Sequence, residues 1–260
     1  MTTINDIYDH INRIAPYSAQ ESYDNSGLCV GSKNRRVTKA LIALDVTKDI
    51  INEAKQKGAQ LIITHHPVIF HALKAIDPET VVGMLLENSI AALSAHTNFD
   101  SAIMNDILCK KLEIAPTGPL CEENQTAMGC VCRLEKEMNP KELAEHIKEK
   151  LGNTVVRYND LEKTGMYRGR KITKAAVCSG SGGSLWKSAL SKGCQALITG
   201  DVKHDVFVDA QNSGLSVFDA GHFHTENIFC LYMEQELSKQ FPTVGFEVAE
   251  NNVEVVSYAL

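Results

Sequence analysis

The chain has 260 residues, 44% of them hydrophobic, and a formal net charge of −6. That is enough apolar material for one large or two modest cores, and the acidic balance argues against nucleic acid as a principal partner, because phosphate neutralisation needs a basic surface. The opening Met1-Thr2-Thr3-Ile4-Asn5-Asp6 has neither a basic stretch nor an apolar core, and no apolar run approaches the roughly 18 residues that span a bilayer, so a cytoplasmic protein without membrane insertion is expected.

An opening helix is expected from Thr3 to Ala15, stopped by Pro16. Strands follow at Leu28–Gly31, Lys39–Val46, Gln60–Thr64 and Ile90–Ala95, with helices near Lys48–Lys57, Pro78–Asn88 and Asn105–Leu112. Acidic and polar residues at Cys121–Thr126 mark a boundary, dividing the chain into a first α/β repeat, 1–125, and a second, 126–260. The second half opens with a strand at Met128–Leu134. A helix then has Asn139 as N-cap, Pro140 in its first position and Gly152 at its exit. Further strands are expected at Thr154–Tyr158, Ala175–Cys178, Ala196–Thr199 and Leu215–Asp219, then a helix from His224 to Lys239. The end reads as a hairpin, Val244–Val248 and Val253–Ser257, turning at Glu250-Asn251-Asn252. This last helix and hairpin are expected to pack back on the first half.

Strands alternating with helices make this an α/β protein. Its eight cysteines (Cys29, Cys109, Cys121, Cys130, Cys132, Cys178, Cys194, Cys230) are scattered, without a CxxC, and are expected to be reduced and buried. Cys130 and Cys132 sit in an apparent strand, where their side chains are expected to diverge.

The halves echo each other. Gly58-Ala59-Gln60-Leu61-Ile62-Ile63-Thr64-His65-His66 resembles Gly193-Cys194-Gln195-Ala196-Leu197-Ile198-Thr199-Gly200-Asp201, each after a helix ending in Lys-Gly. Asn88 to His96 with Asp100 likewise parallels Asn212 to His222 with Glu226. A duplication follows, with mixed sheets flanked by helices and strand ends from both repeats able to converge on one site.

Ligands of open α/β sheets sit beyond the C-terminal strand ends, and every polar cluster of this chain follows a strand in that way. They are His65-His66, His96 with Asp100, Asp201 with His204, and His222 with His224 and Glu226. Neighbours on an extended segment point to opposite sides, so His65 and His66 are expected to take one metal each of a pair held roughly 3.5–4 Å apart. Three imidazoles (His65, His66, His222) and two carboxylates (Asp100, Glu226) give five side chains for two metals. Structural zinc sites are closed by four ligands, usually including thiolates; this open N/O shell suits Zn, Fe or Mn and leaves positions for water or substrate. Hydrolysis is the chemistry that follows most directly. Asp24 is either an acceptor for a ligand histidine or part of an Asp-Asn turn. The loop Ser179-Gly180-Ser181-Gly182-Gly183-Ser184 is either a phosphate-binding turn or a tight turn alone, and it is neither a P-loop nor GxGxxG.

Tyr23-Asp24-Asn25-Ser26-Gly27-Leu28, Ile63-Thr64-His65-His66-Pro67, Ala95-His96-Thr97-Asn98-Phe99-Asp100, Thr199-Gly200-Asp201 and Ala220-Gly221-His222 with Glu226 together resemble the GTP cyclohydrolase I type 2 homologue family, also called Nif-three-like dinuclear-metal proteins. The match runs in order over almost the whole chain. The resemblance implies two intertwined α/β repeats with a metal site between the halves, two divalent metal ions per subunit, and a toroidal homohexamer. The family's ligands fall on His65, His66, Asp100, His222 and Glu226. The chain has Tyr23 where members often carry Trp, and Asp205 where many have His beside His204.

The leading expectation is therefore a metal-dependent hydrolase of a nucleotide or related phosphorylated small molecule, with His96 or Asp24 as proton relay. The alternative is a non-enzymatic metal carrier, for iron trafficking, or a scaffold. A DNA-associated ring is a third reading, against which the acidic charge speaks.

Overall fold

Thr3 and Asp6 cap each other's backbone amides and so start the helix Ile4–Ile14, whose Ile4, Ile7 and Ile11 are fully buried at helical spacing. The computed structural model describes residues 1–123, 126–164 and 169–259. Among these the chain forms eleven strands: β1 Gly27–Val30, β2 Lys39–Ala43, β3 Leu61–Thr64, β4 Ala91–Ser94, β5 Ala115–Glu123, β6 Thr126–Met138, β7 Arg157–Tyr158, β8 Ile172–Val177, β9 Ala196–Thr199, β10 Ser216–Asp219 and β11 Gly245–Val248. None of the described helices is long and apolar enough to cross a membrane.

The elements divide into two compact units, Met1–Ala102 with Asn227–Val255, and Ile103–Glu226 with the chain end from Val256. The boundary expected at 125/126 adjoins residues 124 and 125, which lie outside the described residues; β5 and β6 on either side of it pair with each other. In the first unit the sheet order is β1-β4-β3-β2-β11, parallel except for β1. Its core gathers Leu41, Ile50, Ile51, Ile62 and Leu85 between the sheet and the helices Lys48–Lys57 and Val81–Glu87. In the second unit the order is β5-β6-β8-β9-β10-β7, with β8, β9 and β10 parallel and the others antiparallel. There Val131, Ala176, Leu197, Leu215 and Val217 form the core with the helices Trp186–Ser191 and His204–Asn212.

Within each unit the same parallel motif recurs. Ala40 faces Leu61, which faces Ala91; Ala175 faces Ala196, which faces Ser216. One buttress is repeated in atomic detail. Gln60 Oε1 accepts from Thr38 N, Thr38 Oγ1 and Lys39 N, as Gln195 Oε1 does from Thr173 N, Thr173 Oγ1 and Lys174 N. Each amide locks the start of one strand to the start of the next, which sets the register of the strand ends that carry the polar clusters.

Several expectations are corrected. The terminal hairpin does not form: β11 pairs in parallel with β2, and Val253–Ser257 is not a strand. The turn that should close the hairpin is instead held by Glu53, whose carboxylate accepts from Glu250 N (2.9 Å), Asn251 N (3.0 Å) and Asn251 Nδ2 (2.9 Å). The strand expected from Thr154 shrinks to Arg157–Tyr158. Ala115–Glu123 is a strand despite Pro116 and Pro119 because it lies at a sheet edge, where a missing N–H costs no ladder bond. Cys130 and Cys132 do not diverge: residues two apart share a face of the strand, and Cys132 Sγ lies 3.3 Å from Cys109 Sγ. All eight cysteines are free thiols.

Glu53 is buried yet ionised. Burial works to raise its pKa, but the amides of Glu250 and Asn251 and the ammonium of Lys57 outweigh it and lower the value to about 2. With the folded pKa depressed, this stabilisation is complete above the ordinary value of 4.5 and is lost as pH falls toward 2. Glu53→Ala is expected to cost about 2–3 kcal/mol at neutral pH, since it strands two amides and a charge partner. Urea denaturation should show that deficit at pH 7 and a smaller one at pH 3.

Candidate metal centre

The first unit brings together side chains from three strand ends. His65 and His66 follow β3, Asp45 follows β2, and His96 and Asp100 follow β4, while Asp24 precedes β1. The opposite orientation expected of His65 and His66 does not survive past the strand. Thr64 Oγ1 donates to His66 O at 2.7 Å, the chain bends, and the two imidazole centroids end 5.1 Å apart. His96 lies 5.1 Å from His65 and 5.4 Å from His66, ring to ring. One ligand atom from each of the three histidines lies within 4.8 Å of the other two, a group able to hold a metal ion.

Each of these imidazoles is anchored through Nδ1. His65, fully buried, meets Ala95 O at 2.8 Å; His66 meets Asp45 Oδ1 at 2.8 Å; His96 meets Asp24 Oδ1 at 2.9 Å. A carbonyl or carboxylate oxygen accepts, so Nδ1 carries the hydrogen and Nε2 presents its lone pair, which is the tautomer a metal ligand needs. His65 Nε2 is 3.6 Å from Asp100 Oδ1. Asp100 opens a π-helical turn, Asp100–Met104, between the helical segments Thr97–Phe99 and Asn105–Lys111. Such one-turn widenings recur at functional sites.

Asp24 serves His96 and the chain around it. Its carboxylate accepts from His96 Nδ1, Thr97 N, Thr97 Oγ1 and Ser26 Oγ. Burial opposes ionisation, but those hydrogen bonds from His96, Thr97 and Ser26 hold the carboxyl well below the usual range. Both expectations for Asp24 are met: it caps a local turn, with Asp24 N donating to Glu21 O at 2.9 Å and Asn25 N donating to Asp24 Oδ1 at 2.7 Å, and its carboxylate also accepts from His96.

The second unit repeats the arrangement with its own residues. His222 and Glu226 follow β10 as one helical turn, and His222 Nε2 lies 2.8 Å from Glu226 Oε2. Asp201, after β9, accepts from His222 Nδ1 at 2.7 Å and from Ser181 Oγ at 3.0 Å. It does so with φ of +51°, a backbone conformation that Asp tolerates better than most residues but that still costs energy. Glu226 is 3% exposed.

The Gly-rich loop is a cradle for that carboxylate. Gly180 has φ of +58°, and a Cβ there would run into Glu226 Oε1 and come within 3.2 Å of its Cδ. The amides of Ser179, Gly180 and Gly182 are taken by Asn105 Oδ1 (3.1 Å), Thr225 Oγ1 (3.0 Å) and Thr199 Oγ1 (2.8 Å). Those amides hold the loop rather than a phosphate, which favours the tight-turn reading. His204 and Asp205 start the helix His204–Asn212 on the exposed surface and join no ligand group among the described residues.

The first unit offers three imidazoles with Nδ1 bound to an acceptor, and the second offers the imidazole of His222 with the Glu226 carboxylate at its Nε2, nitrogen and oxygen donors of the kind that hold metal ions. Asp45 is the residue that sequence reasoning missed. Its signal was its place, directly beyond a parallel strand, the same criterion that singled out the other clusters. Because such outer partners fix ligand orientation, Asp45→Asn and Asp201→Asn are each expected to weaken metal binding by about 10–100-fold. Competition with a graded series of chelators would measure it, and unchanged retention in both would contradict the role.

The profile of the Duf34/NIF3 (NGG1p interacting factor 3) family matches residues 2–255. The chain is 37% identical over 235 residues to the "GTP cyclohydrolase 1 type 2 homolog" of Clostridium perfringens, covering 86% of each chain. It is 32% identical to the "GTP cyclohydrolase 1 type 2" of Helicobacter pylori strain J99, covering 98% of this chain and all of that one. Among solved structures, a Bacillus cereus protein related to NIF3 superposes with a TM-score of 0.88 over 100% of this chain and 99% of that one at 23% identity. Reduced HcgD from Methanocaldococcus jannaschii does so with a TM-score of 0.80 over 96% of this chain and 98% of that one at 25% identity.

Proposed function

The chain belongs to the Duf34/NIF3 family, and on that premise we propose that it binds two divalent metal ions and hydrolyses a nucleotide or related phosphorylated small molecule. The observation that carries the metal reading is the set of three histidines, His65, His66 and His222, each with Nδ1 bound to an acceptor. In this reading His65, His66, Asp100, His222 and Glu226 hold the ions. When bound, the ions, Zn, Fe or Mn, supply Lewis acidity and lower the pKa of water toward neutrality. The nucleotide assignment rests on the names of the relatives.

His96 is the proton carrier of this proposal. Asp24 fixes the ring through its Nδ1 hydrogen, which leaves Nε2 to take a proton from a nucleophile and return it to a leaving group. The protein is proposed to act as a toroidal homohexamer, which sedimentation analysis would test.

A metal carrier is the second reading, favoured by the Gly-rich loop, whose amides at Ser179, Gly180 and Gly182 are committed internally. Metal-reconstituted protein incubated with a nucleotide panel and followed by mass spectrometry separates the two. Metal-dependent turnover that disappears in His66→Ala supports hydrolysis. Full metal loading without turnover, with ready transfer of the ion to an acceptor chelator, overturns it in favour of carriage.

A further inference from the structure

Three cysteines that the proposed metal chemistry does not use converge inside the second unit. Cys109 lies on the helix Asn105–Lys111, and Cys130 and Cys132 share one face of β6. Cys109 Sγ and Cys132 Sγ are 3.3 Å apart, and both residues are fully buried; Cys130 is the one of the three that retains exposure, 7%. We propose that Cys109 and Cys132 form a reversible disulfide, with Cys130 as the thiol that meets the oxidant, a hydroperoxide.

The Cys130 thiolate attacks the peroxide O–O bond, which breaks; sulfur is oxidised by two electrons to the sulfenic acid, and the alkoxide or hydroxide released takes a proton. The Cys109 thiol then displaces that oxygen as water and forms the Cys109–Cys130 bond. Cys132, 3.3 Å from Cys109 Sγ, attacks it and releases Cys130 as a thiol. The sum is two thiols and one hydroperoxide giving one disulfide, one alcohol or water, and one water. Hydrogen bonds from Cys109 and then Cys132 favour the Cys130 thiolate against the opposing effect of burial. A direct Cys130–Cys132 bond is disfavoured because side chains two apart on a strand stand parallel rather than facing each other. The final bond would tie the helix Asn105–Lys111 to β6 and restrict the unfolded chain between residues 109 and 132.

The full-length protein treated with hydrogen peroxide, then alkylated before and after reduction and mapped by peptide mass, tests this. The expected result is a Cys109–Cys132 disulfide in the folded protein, reversed by dithiothreitol and accompanied by a rise in Tm. Cys130→Ser should slow its formation at least tenfold, and Cys109→Ser should instead leave Cys130 oxidised to the sulfinic acid. Persistence of all three thiols while Cys29 and Cys121, both partly exposed, are oxidised would overturn the proposal, as would a bond formed only in denaturant. An unchanged rate in Cys130→Ser would overturn the assignment of the entry thiol.

Discussion

Replacing His65 by alanine is expected to lower the affinity for divalent metal by more than about 100-fold, beyond the effect of losing an outer partner. His65 is fully buried, its Nδ1 is held at 2.8 Å by Ala95 O, and its Nε2 faces Asp100 and the rings of His66 and His96. No neighbour can substitute, because the imidazole is fixed by one backbone carbonyl and packed against Phe99 and Phe229. The truncation also leaves a cavity, so a stability loss of about 2 kcal/mol or more accompanies it. Metal content after dialysis against a chelator, with His204→Ala as an exposed control, measures the effect. Equal retention by His65→Ala and wild type would remove His65 from the centre.

Gly180→Ala should be nearly as damaging although it deletes no ligand. The positive φ alone costs an L-residue about 1–2 kcal/mol, and the new methyl group occupies the position of Glu226 Oε1. Glu226, held between Gly180 and His222 Nε2, has to move, and metal affinity is expected to fall at least about tenfold. Gly193→Ala is the matched control: its φ is +71° but a Cβ there meets nothing within 4 Å. Both variants should lose stability in thermal unfolding, and Gly180→Ala alone should lose metal. If the two behaved alike, the loop would be a turn and no more.

Much of this arrangement is legible in local sequence. The helices Lys48–Lys57 and Pro140–Leu151 end where their caps place them, because Thr47 and Asn139 accept amides of the first turn and Gly58 and Gly152 adopt positive φ. The duplication is visible in the paired Gly-x-Gln-strand segments, and the structure supplies its reason in the Gln60 and Gln195 buttresses. Other features leave no local trace. Val244–Val248 alternates like a hairpin arm, yet its partner is β2, some two hundred positions earlier; a strand pattern specifies a face, not a neighbour. Asp45 stands beyond a strand end as the other clusters do, yet only the fold puts its carboxylate on His66 Nδ1.

The sequence by itself determined the α/β class, the repeat, and the placing of His65, His66, His96, Asp100, His222 and Glu226 beyond strand ends, because backbone periodicity and capping are set by neighbours a few residues away. Only the tertiary structure decided that Asp24, Asp45 and Asp201 orient the imidazoles, that Gly180 makes room for Glu226, and that Cys109 meets Cys132. Those are contacts between segments far apart in the chain, and hydrogen-bond direction and steric exclusion act through space, over distances that no spacing along the sequence encodes.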